Sequence, residues 1–281
     1  MVLRTPSRLQ RLGPPDLARM RQLLDRDPVT NVFVDSRIAS TGLEPRRLNG
    51  EVWGYGTDGD LSSACHVAAN LMPVEATDAS IRVFAEHAAA QGRRCSSLVG
   101  LQRAIAPLWE HLEPHWGPAR SVRPDQPFMT IRAPSPLRPD MAVRRVLIDE
   151  LDVLYPASVA MFTEEVGVSP EVDGADHYRA RVAQLISRGW AFARIEDGQV
   201  VFKAEVGVAT SRACQIQGVY VHPEHRGRGI AAAAMAAVVN LALREVAPVV
   251  TLYVNADNIA ARRAYEHAGF VRTNTFTTVL F

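Results

Sequence analysis

The sequence predicts an α/β fold built on a mixed sheet and laid out twice along the chain. Three observations carry this expectation. First, an Asp-Gly pair joins two apolar runs in each half: Asp58-Gly59 in EVWGYGTDGDLSSACHV and Asp197-Gly198 in GWAFARIEDGQVVFKAEV. Asp-Gly between apolar runs is a β-hairpin signal. Second, helix, strand, helix and strand follow each hairpin in the same order, which reads as a tandem duplication. Third, the most proline-rich patch, RAPSPLRPD at 132–140, falls near the midpoint. Pro134, Pro136 and Pro139 fix φ and remove donors, so the patch is a linker or an exposed edge. Domains are expected at 1–134 and 135–281.

In the first half, CSSLVG reads as a strand, LQRAIAPLWEHLEPHWG as a helix and ARSVRPDQPFMTIR as a closing strand. In the second half, Val219-Tyr220-Val221 is β-branched and aromatic and reads as a buried strand. After Gly229 no breaker occurs until Pro248, and Ala, Met and Leu dominate, so a long helix follows. VVTLYVN is then a strand, NIAARRAYEHAGF a helix and VRTNTFTTVLF the closing strand.

The junction HPEHRGRGIAAAAMAAVV at 222–239 has a direct chemical use. The first turn of a helix leaves N–H groups unpaired at the positive end of the helix dipole. Gly227 and Gly229 let the backbone turn sharply without Cβ atoms, and Arg226 and Arg228 add charge. The arrangement suits a phosphate or pyrophosphate, against the alternative of a basic turn ahead of an ordinary helix. The matching stretch of the first half, NLMPVEATDASI, offers Pro73, Glu75 and Asp78 instead. Carboxylates repel phosphate, and Asp78 reads as a helix cap. The cradle is therefore expected only in the second half.

Composition limits the remaining choices. At 281 residues, with 47% hydrophobic and 22% charged residues, the chain is an ordinary globular protein of two domains or one large one. A net charge of +1 gives no broad field for nucleic acid or a membrane surface. No apolar run is long enough to span a bilayer, and MVLRTPSRLQRLGPP lacks an apolar signal core. Cys65, Cys95 and Cys214 lack metal-like spacing and are expected as buried free thiols in a reducing compartment, the cytoplasm. No metal site is expected.

The second half resembles the GNAT superfamily of acyl-CoA-dependent N-acyltransferases. The resemblance rests on Arg226, Gly229 and Ala231 within RGRGIA, on the preceding strand QIQGVYVHPEHRG, and on Asn258 and Tyr265 within NADNIAARRAYEHAGF. It covers about residues 141–281, and the first half resembles a degenerate copy. It implies two tandem domains, each a mostly antiparallel sheet with splayed middle strands flanked by helices. It also implies direct transfer of an acyl group, acetyl first, from coenzyme A to a small-molecule or peptide amine. A homodimer is the partner arrangement considered. Cofactor contacts would come from Val219, Tyr220 and Val221 on the strand, from Arg226, Gly227, Arg228, Gly229, Ile230 and Ala231 in the loop, and from Asn258. Tyr265 would meet the thioester sulfur, and the oxyanion would take a backbone N–H from Val219 or Tyr220.

An ammonium acceptor must also lose a proton. With a pKa near ~10.4, a lysine-like amine forfeits about 4.6 kcal/mol at pH 7. Glu205 leads as the base, with Glu164, Glu165 and His222 as alternatives and Gln217 as a residue that positions water. Asn258 either contacts the pantetheine or caps its helix, a role for which Asn255 and Asp257 compete. The helices DELDVLYPASVAMFTEEVG and DHYRARVAQLISRG would wall the acceptor site, where Glu164, Glu165 and Asp173 suit a cationic amine. Two other functions are set against this one. A non-catalytic acyl-CoA sensor would keep RGRGIA and dispense with Tyr265. Nucleic-acid binding through Arg226, Arg228, Arg262 and Arg263 finds no aromatic-basic pattern to support it.

Overall fold

The computed structural model describes residues 8–57, 59–172 and 174–281, so Asp58 and Asp173 lie outside the described residues. The chain forms two compact units, and their division does not follow a single cut at 134/135. Residues 1–128 together with 272–281 make the first, and 129–271 make the second. The reason is the final strand, which belongs with the N-terminal half.

The first unit runs β1 (Arg8–Leu12), α1 (Leu17–Leu24), α2 (Val32–Thr41), α3 (Pro45–Leu48), β2 (Glu51–Gly56), β3 (Leu61–Val67), β4 (Asn70–Val74), α4 (Asp78–Gln91), β5 (Ser97–Leu101), α5 (Gln102–Trp116) and β6 (Ser121–Ile131). The second unit continues β7 (Arg144–Arg145), α6 (Leu151–Val166), α7 (Ala175–Ser187), β8 (Ala191–Glu196), β9 (Gln199–Ala209), β10 (Cys214–Val221), α8 (Ile230–Glu245), β11 (Val250–Tyr253) and α9 (Ile259–His267), followed by β12 (Val271–Leu280). From its hairpin onward, each half has the predicted helix, strand, helix and strand in order, with the difference that β4, not expected as a strand, comes between the first hairpin and α4, and β12 closes the first unit.

In the first unit β1, β2, β3 and β4 pair antiparallel in sequence, and β4 meets β5 in parallel. The strand on the far side of β5 is β12, antiparallel, with Phe276 opposite Leu101 and Leu280 opposite Ser97. Phe276 stacks on Phe128 of β6 at 4.6 Å between ring centroids. Thr278 donates to Gln126 Oε1 over 2.6 Å, a buried bond that ties β12 to β6 a second time. A core of Trp53, Phe84, Leu98, Ile105, Leu108 and Val279 lies between this sheet and α4 and α5.

Two local details of this unit depart from simple expectation. The cap of α4 is Thr77, in extended backbone, whose hydroxyl accepts from Ser80 N at 3.3 Å. Asp78 is already helical, so its carboxylate faces the helix dipole from the first turn instead of capping it. On β3, His66 is 2% exposed, and neither ring nitrogen has a hydrogen-bond partner among the described residues. Burial, with the Arg37 charge nearby, pushes the ring down to about 4. The unfolded chain then binds a proton near pH 6.5 that the folded chain refuses. Stability should be full above that pH and fall toward pH 4, by about 3 kcal/mol from this residue. Denaturant titrations at pH 7 and pH 4.5 should show this loss in the native protein and a smaller one in His66→Leu.

The second unit's sheet has the order β7-β8-β9-β10-β11, with the last residues of β6 beyond β11. Asp197 and Gly198 have φ of 49° and 76°, the doubly left-handed turn that the β8–β9 hairpin requires. Residues 200–208 of β9 are buried without a break, as expected of a strand covered on both faces. Phe202, Ala204 and Val206 point to a core shared with Ala234, Met235, Val238 and Ala242 of α8. The small residues of α8 let its axis come close to the sheet. The proline patch is neither a free linker nor a sheet edge. It is an irregular strap along α8, held by Ser135 N to Asn240 Oδ1 at 2.9 Å and Asp140 N to Ala233 O at 3.0 Å.

Candidate active site

The site begins where the second unit's sheet opens. β10 and β11 pair at only two positions, Cys214 with Val250 and Gln215 with Thr251. Beyond Gln215, β10 runs six more residues without that ladder, so the middle strands splay as the fold class predicts. On its other side β10 keeps β9 but slips twice. Gln217 faces Glu205 and Tyr220 faces Lys203, so Gly218 and Val219 together oppose one residue of β9. This is a β-bulge with its glycine left-handed at φ +61°. A bulge removes one residue from the ladder, which exposes main-chain polar groups at the mouth of the splay. The second slip lies at Gly207, where an added Cβ would sit 2.2 Å from Gln217 Oε1. Glycine there gives the Gln217 side chain its room.

Gln217 in turn donates to Glu205 Oε1 at 3.1 Å. The other carboxylate oxygen, Oε2, accepts from Lys203 Nζ at 2.9 Å. Both members of this ion pair are buried, Lys203 to 1% and Glu205 to 6% exposure. Gly218 lies against the pair: a Cβ on it would be 3.0 Å from Glu205 Cδ and 3.1 Å from Met161 Cε of α6. On the α7 side stands Tyr178, whose hydroxyl donates to Ser158 O at 3.0 Å. Burial, and the Glu205 carboxylate nearby, raise the Tyr178 phenol well above its ordinary range. Glu205 thus lies beside the bulge with both carboxylate oxygens bonded. Its partner Lys203 was not singled out in the sequence, although a lysine inside the apolar run QVVFKAEV, two residues from a glutamate, was a legible signal.

The loop from His222 to Gly229 leads into α8. Gly227 and Gly229 are left-handed at φ +75° and +74°, and a Cβ on either would meet nothing within 4 Å. The glycines serve conformation and leave open space beside the backbone. Ile230 and Ala231 open α8, so the first-turn N–H groups stand at this loop without intrahelical acceptors. The two arginines divide. Arg228 is exposed. Arg226 is turned away to α6, with both Glu164 oxygens at 3.0 and 2.8 Å, Val221 O at 2.9 Å and the Tyr220 ring beneath it at 5.5 Å. Arg226 therefore latches the loop, its charge is matched by Glu164, and Glu164 is occupied as a base. Among the described residues, the first-turn amides and the exposed Arg228 are the groups of this loop left without such a partner.

Tyr265 on α9 is 7% exposed and packs in the α8 core, edge-on to Phe270 at 6.1 Å. No described residue hydrogen-bonds its hydroxyl. Burial, with the Glu165 carboxylate nearby, raises the phenol well above its usual value, so it stays protonated at neutral pH. Asn258 is the helix cap: its Oδ1 accepts from Ala261 N at 3.1 Å. Neither Asn255 nor Asp257 takes that place. Asn258 as a whole is exposed. His222 shares a ring nitrogen with Gln199 at 2.9 Å, while its Nδ1 is buried without a partner. All three cysteines are free and buried. Burial pushes the Cys214 thiol up to about 12, so no thiolate is on hand as a nucleophile. Among the described residues no group of three or more His, Cys, Asp or Glu is placed to hold a metal, and no helix is long and apolar enough to cross a membrane.

Known proteins agree with this geometry. Residues 161–270 match the acetyltransferase (GNAT) family, and residues 50–154 match a domain of unknown function, DUF4081. No curated protein sequence matches the chain. Among solved structures, a GNAT-family acetyltransferase from Colwellia psychrerythraea is similar at 14% identity and TM-score 0.60, covering 98% of this chain and 99% of that one. A GCN5-related N-acetyltransferase from Sphaerobacter thermophilus gives 19% and 0.62, covering 97% and 94%. A tandem GNAT protein from the clavulanic acid biosynthesis pathway gives 15% and 0.55, covering 97% and 98%. At these identities the likeness is one of fold, and it extends over nearly the whole chain. Residues 161–270 thus carry a GNAT acetyltransferase-family domain, set in a chain whose fold is that of tandem GNAT proteins.

Proposed function

We propose that the second unit transfers an acyl group, acetyl first, from coenzyme A directly to an amine, both substrates being bound together. One observation carries the reading. A glycine loop at a helix N-terminus, a bulged strand beside an opened sheet, and a buried phenol with an unbonded hydroxyl occur in one unit. The amides from Gly227 to Ala231 are assigned to the diphosphate, each bond to a charged oxygen contributing roughly 1.5–3 kcal/mol. The N–H groups of Val219 and Tyr220 at the bulge are assigned to the thioester oxygen, where fixed donors act without reorganisation. Val221 and Asn258 are assigned to the pantetheine arm.

Glu205 is assigned to take the acceptor's proton, directly or through water. Each carboxylate oxygen has two acceptor sites, so the contacts from Lys203 and Gln217 leave capacity for one more donor. Tyr265 is assigned to the sulfur. With its phenol raised above the ordinary value, full proton transfer to a thiolate whose acid has a pKa near ~8.5 is uphill. Its role is therefore to donate a hydrogen bond to the departing sulfur, not to surrender the proton outright.

Calorimetric titration with acetyl-CoA, followed by thiol release across a panel of primary amines (polyamines, amino sugars, lysine peptides), tests the reading. Binding with turnover of at least one amine is expected. Tight binding with no turnover would instead favour an acyl-CoA sensor, and no binding at all would remove the cradle.

A further inference from the structure

The buried lysine beside Glu205 has no place in the chemistry described so far. An ammonium at 1% exposure is rare and is tolerated only when paired. Here its single side-chain partner of known position is Glu205 Oε2, two residues on along the same strand and on the same face. Register places Lys203 between Ala193 of β8 and Tyr220 of β10, and Glu205 between Ala191 and Gln217. Neither flanking position supplies a formal charge. From α7 the pair meets Tyr178, whose phenol feels Glu205, and Arg181, whose guanidinium is bound to Gly207 O at 3.1 Å. From α6 the Met161 methyl lies against Gly218, on whose other flank is Glu205. Lys203 is a cation bonded directly to this carboxylate.

We propose that Lys203 is the positioning residue for Glu205: its buried ammonium sets a positive charge against the carboxylate, holds one of its oxygens and turns the other to Gln217 and the Gly218 bulge. The proposal rests on the assignment of Glu205 as the base. The physical reason is desolvation. In general a buried carboxyl group without a cation beside it favours its neutral form, and a neutral acid accepts no proton from an ammonium acceptor. A surface lysine would not do this service, because water would screen it. The geometry matters as much as the charge, since Lys203 holds one oxygen and so fixes where the second one points.

The experiment uses the full chain with acetyl-CoA and the fastest amine of the panel. Lys203→Gln keeps a hydrogen-bond donor and removes the charge. It should move the acid limb of the kcat/KM profile up by about one pH unit or more. Lys203→Arg should restore the limb while leaving kcat reduced, because the donors sit differently. A purely structural lysine would lower stability and leave the limb in place, which overturns the proposal. Glu205→Gln separates the two failures. If that variant retains activity, the base assignment itself falls; if it is inactive while Lys203→Gln keeps the native limb, only the role of Lys203 falls. Infrared titration gives a readout that needs no acceptor and no active enzyme. The pH at which the protonated-carboxyl stretch lost in Glu205→Gln appears should be higher in Lys203→Gln than in the native protein by about one unit or more. The same midpoint in both proteins overturns the proposal. Should Lys203→Gln not fold, Lys203→Arg decides alone: native kcat in that variant counts against positioning.

Discussion

Tyr265→Phe should lower kcat by about 10- to 100-fold and leave the affinity for acetyl-CoA unchanged. The magnitude follows from the chemistry available to a buried phenol. A hydrogen bond to a charged partner contributes roughly 1.5–3 kcal/mol, and each 1.36 kcal/mol is tenfold in rate. Complete proton donation by a matched acid would give more, about 100- to 10,000-fold, but burial holds the Tyr265 proton too tightly for that. The loss should sit in kcat because the sulfur becomes anionic only as the bond breaks. Phenylalanine keeps the packing on Phe270 and the α8 core, so melting should change little. Thiol release and calorimetry on the same preparation make the test. A variant with native kcat would take Tyr265 out of the chemistry.

Removing residues 272–281 should unfold the first unit while leaving the motif-bearing residues of the second in the chain. The segment supplies Phe276 and Val279, both buried, and the ladder to β5 from Leu101 to Ser97. Truncating a buried Phe alone costs about 3–5 kcal/mol, against total stabilities of about 5–15 kcal/mol. The cut also strips β5 of a partner strand and exposes its edge. Trp109 and Trp116 both pack edge-on to Phe281, at 5.5 and 5.6 Å, and report the event directly. Their emission should shift to the red in the truncated chain, and Phe276→Ala should show a lowered melting temperature with native emission at 25 °C. A truncated chain that melts as the native one does would mean β12 contributes nothing to this unit.

Much of this was legible in the residues, and the limits have a physical pattern. The hairpin at Asp197-Gly198 and the helix after Gly229 could be read because each depends on local backbone preference. The glycine loop could be singled out because one strand–turn–helix unit carries it, and Tyr265 because NADNIAARRAYEHAGF resembles a family motif. What could not be read depends on residues far apart in sequence. The register slips at Gly207 and Gly218 are set by pairing of β9 with β10, and they bring Gln217 to Glu205. Arg226 looked like a phosphate ligand in its own segment, yet its guanidinium is claimed by Glu164, 62 residues earlier. The cap of α4 went to Thr77 instead of Asp78 because extended backbone, not carboxylate chemistry, defines the position. The midpoint prolines suggested a boundary, and the assignment of the last strand to the first half is invisible to any local pattern.

That last feature bears on how the molecule is made. Domains usually complete themselves in the order in which they leave the ribosome, the N-terminal one first. Here the opening half must wait until residues 272–281 are made before its sheet can close beside β5. Until then it holds an unpaired strand edge and an unfinished core, which makes the nascent chain a natural client for chaperones. A gene cut at the midpoint would yield two fragments, each encoding a strand that the other's fold requires.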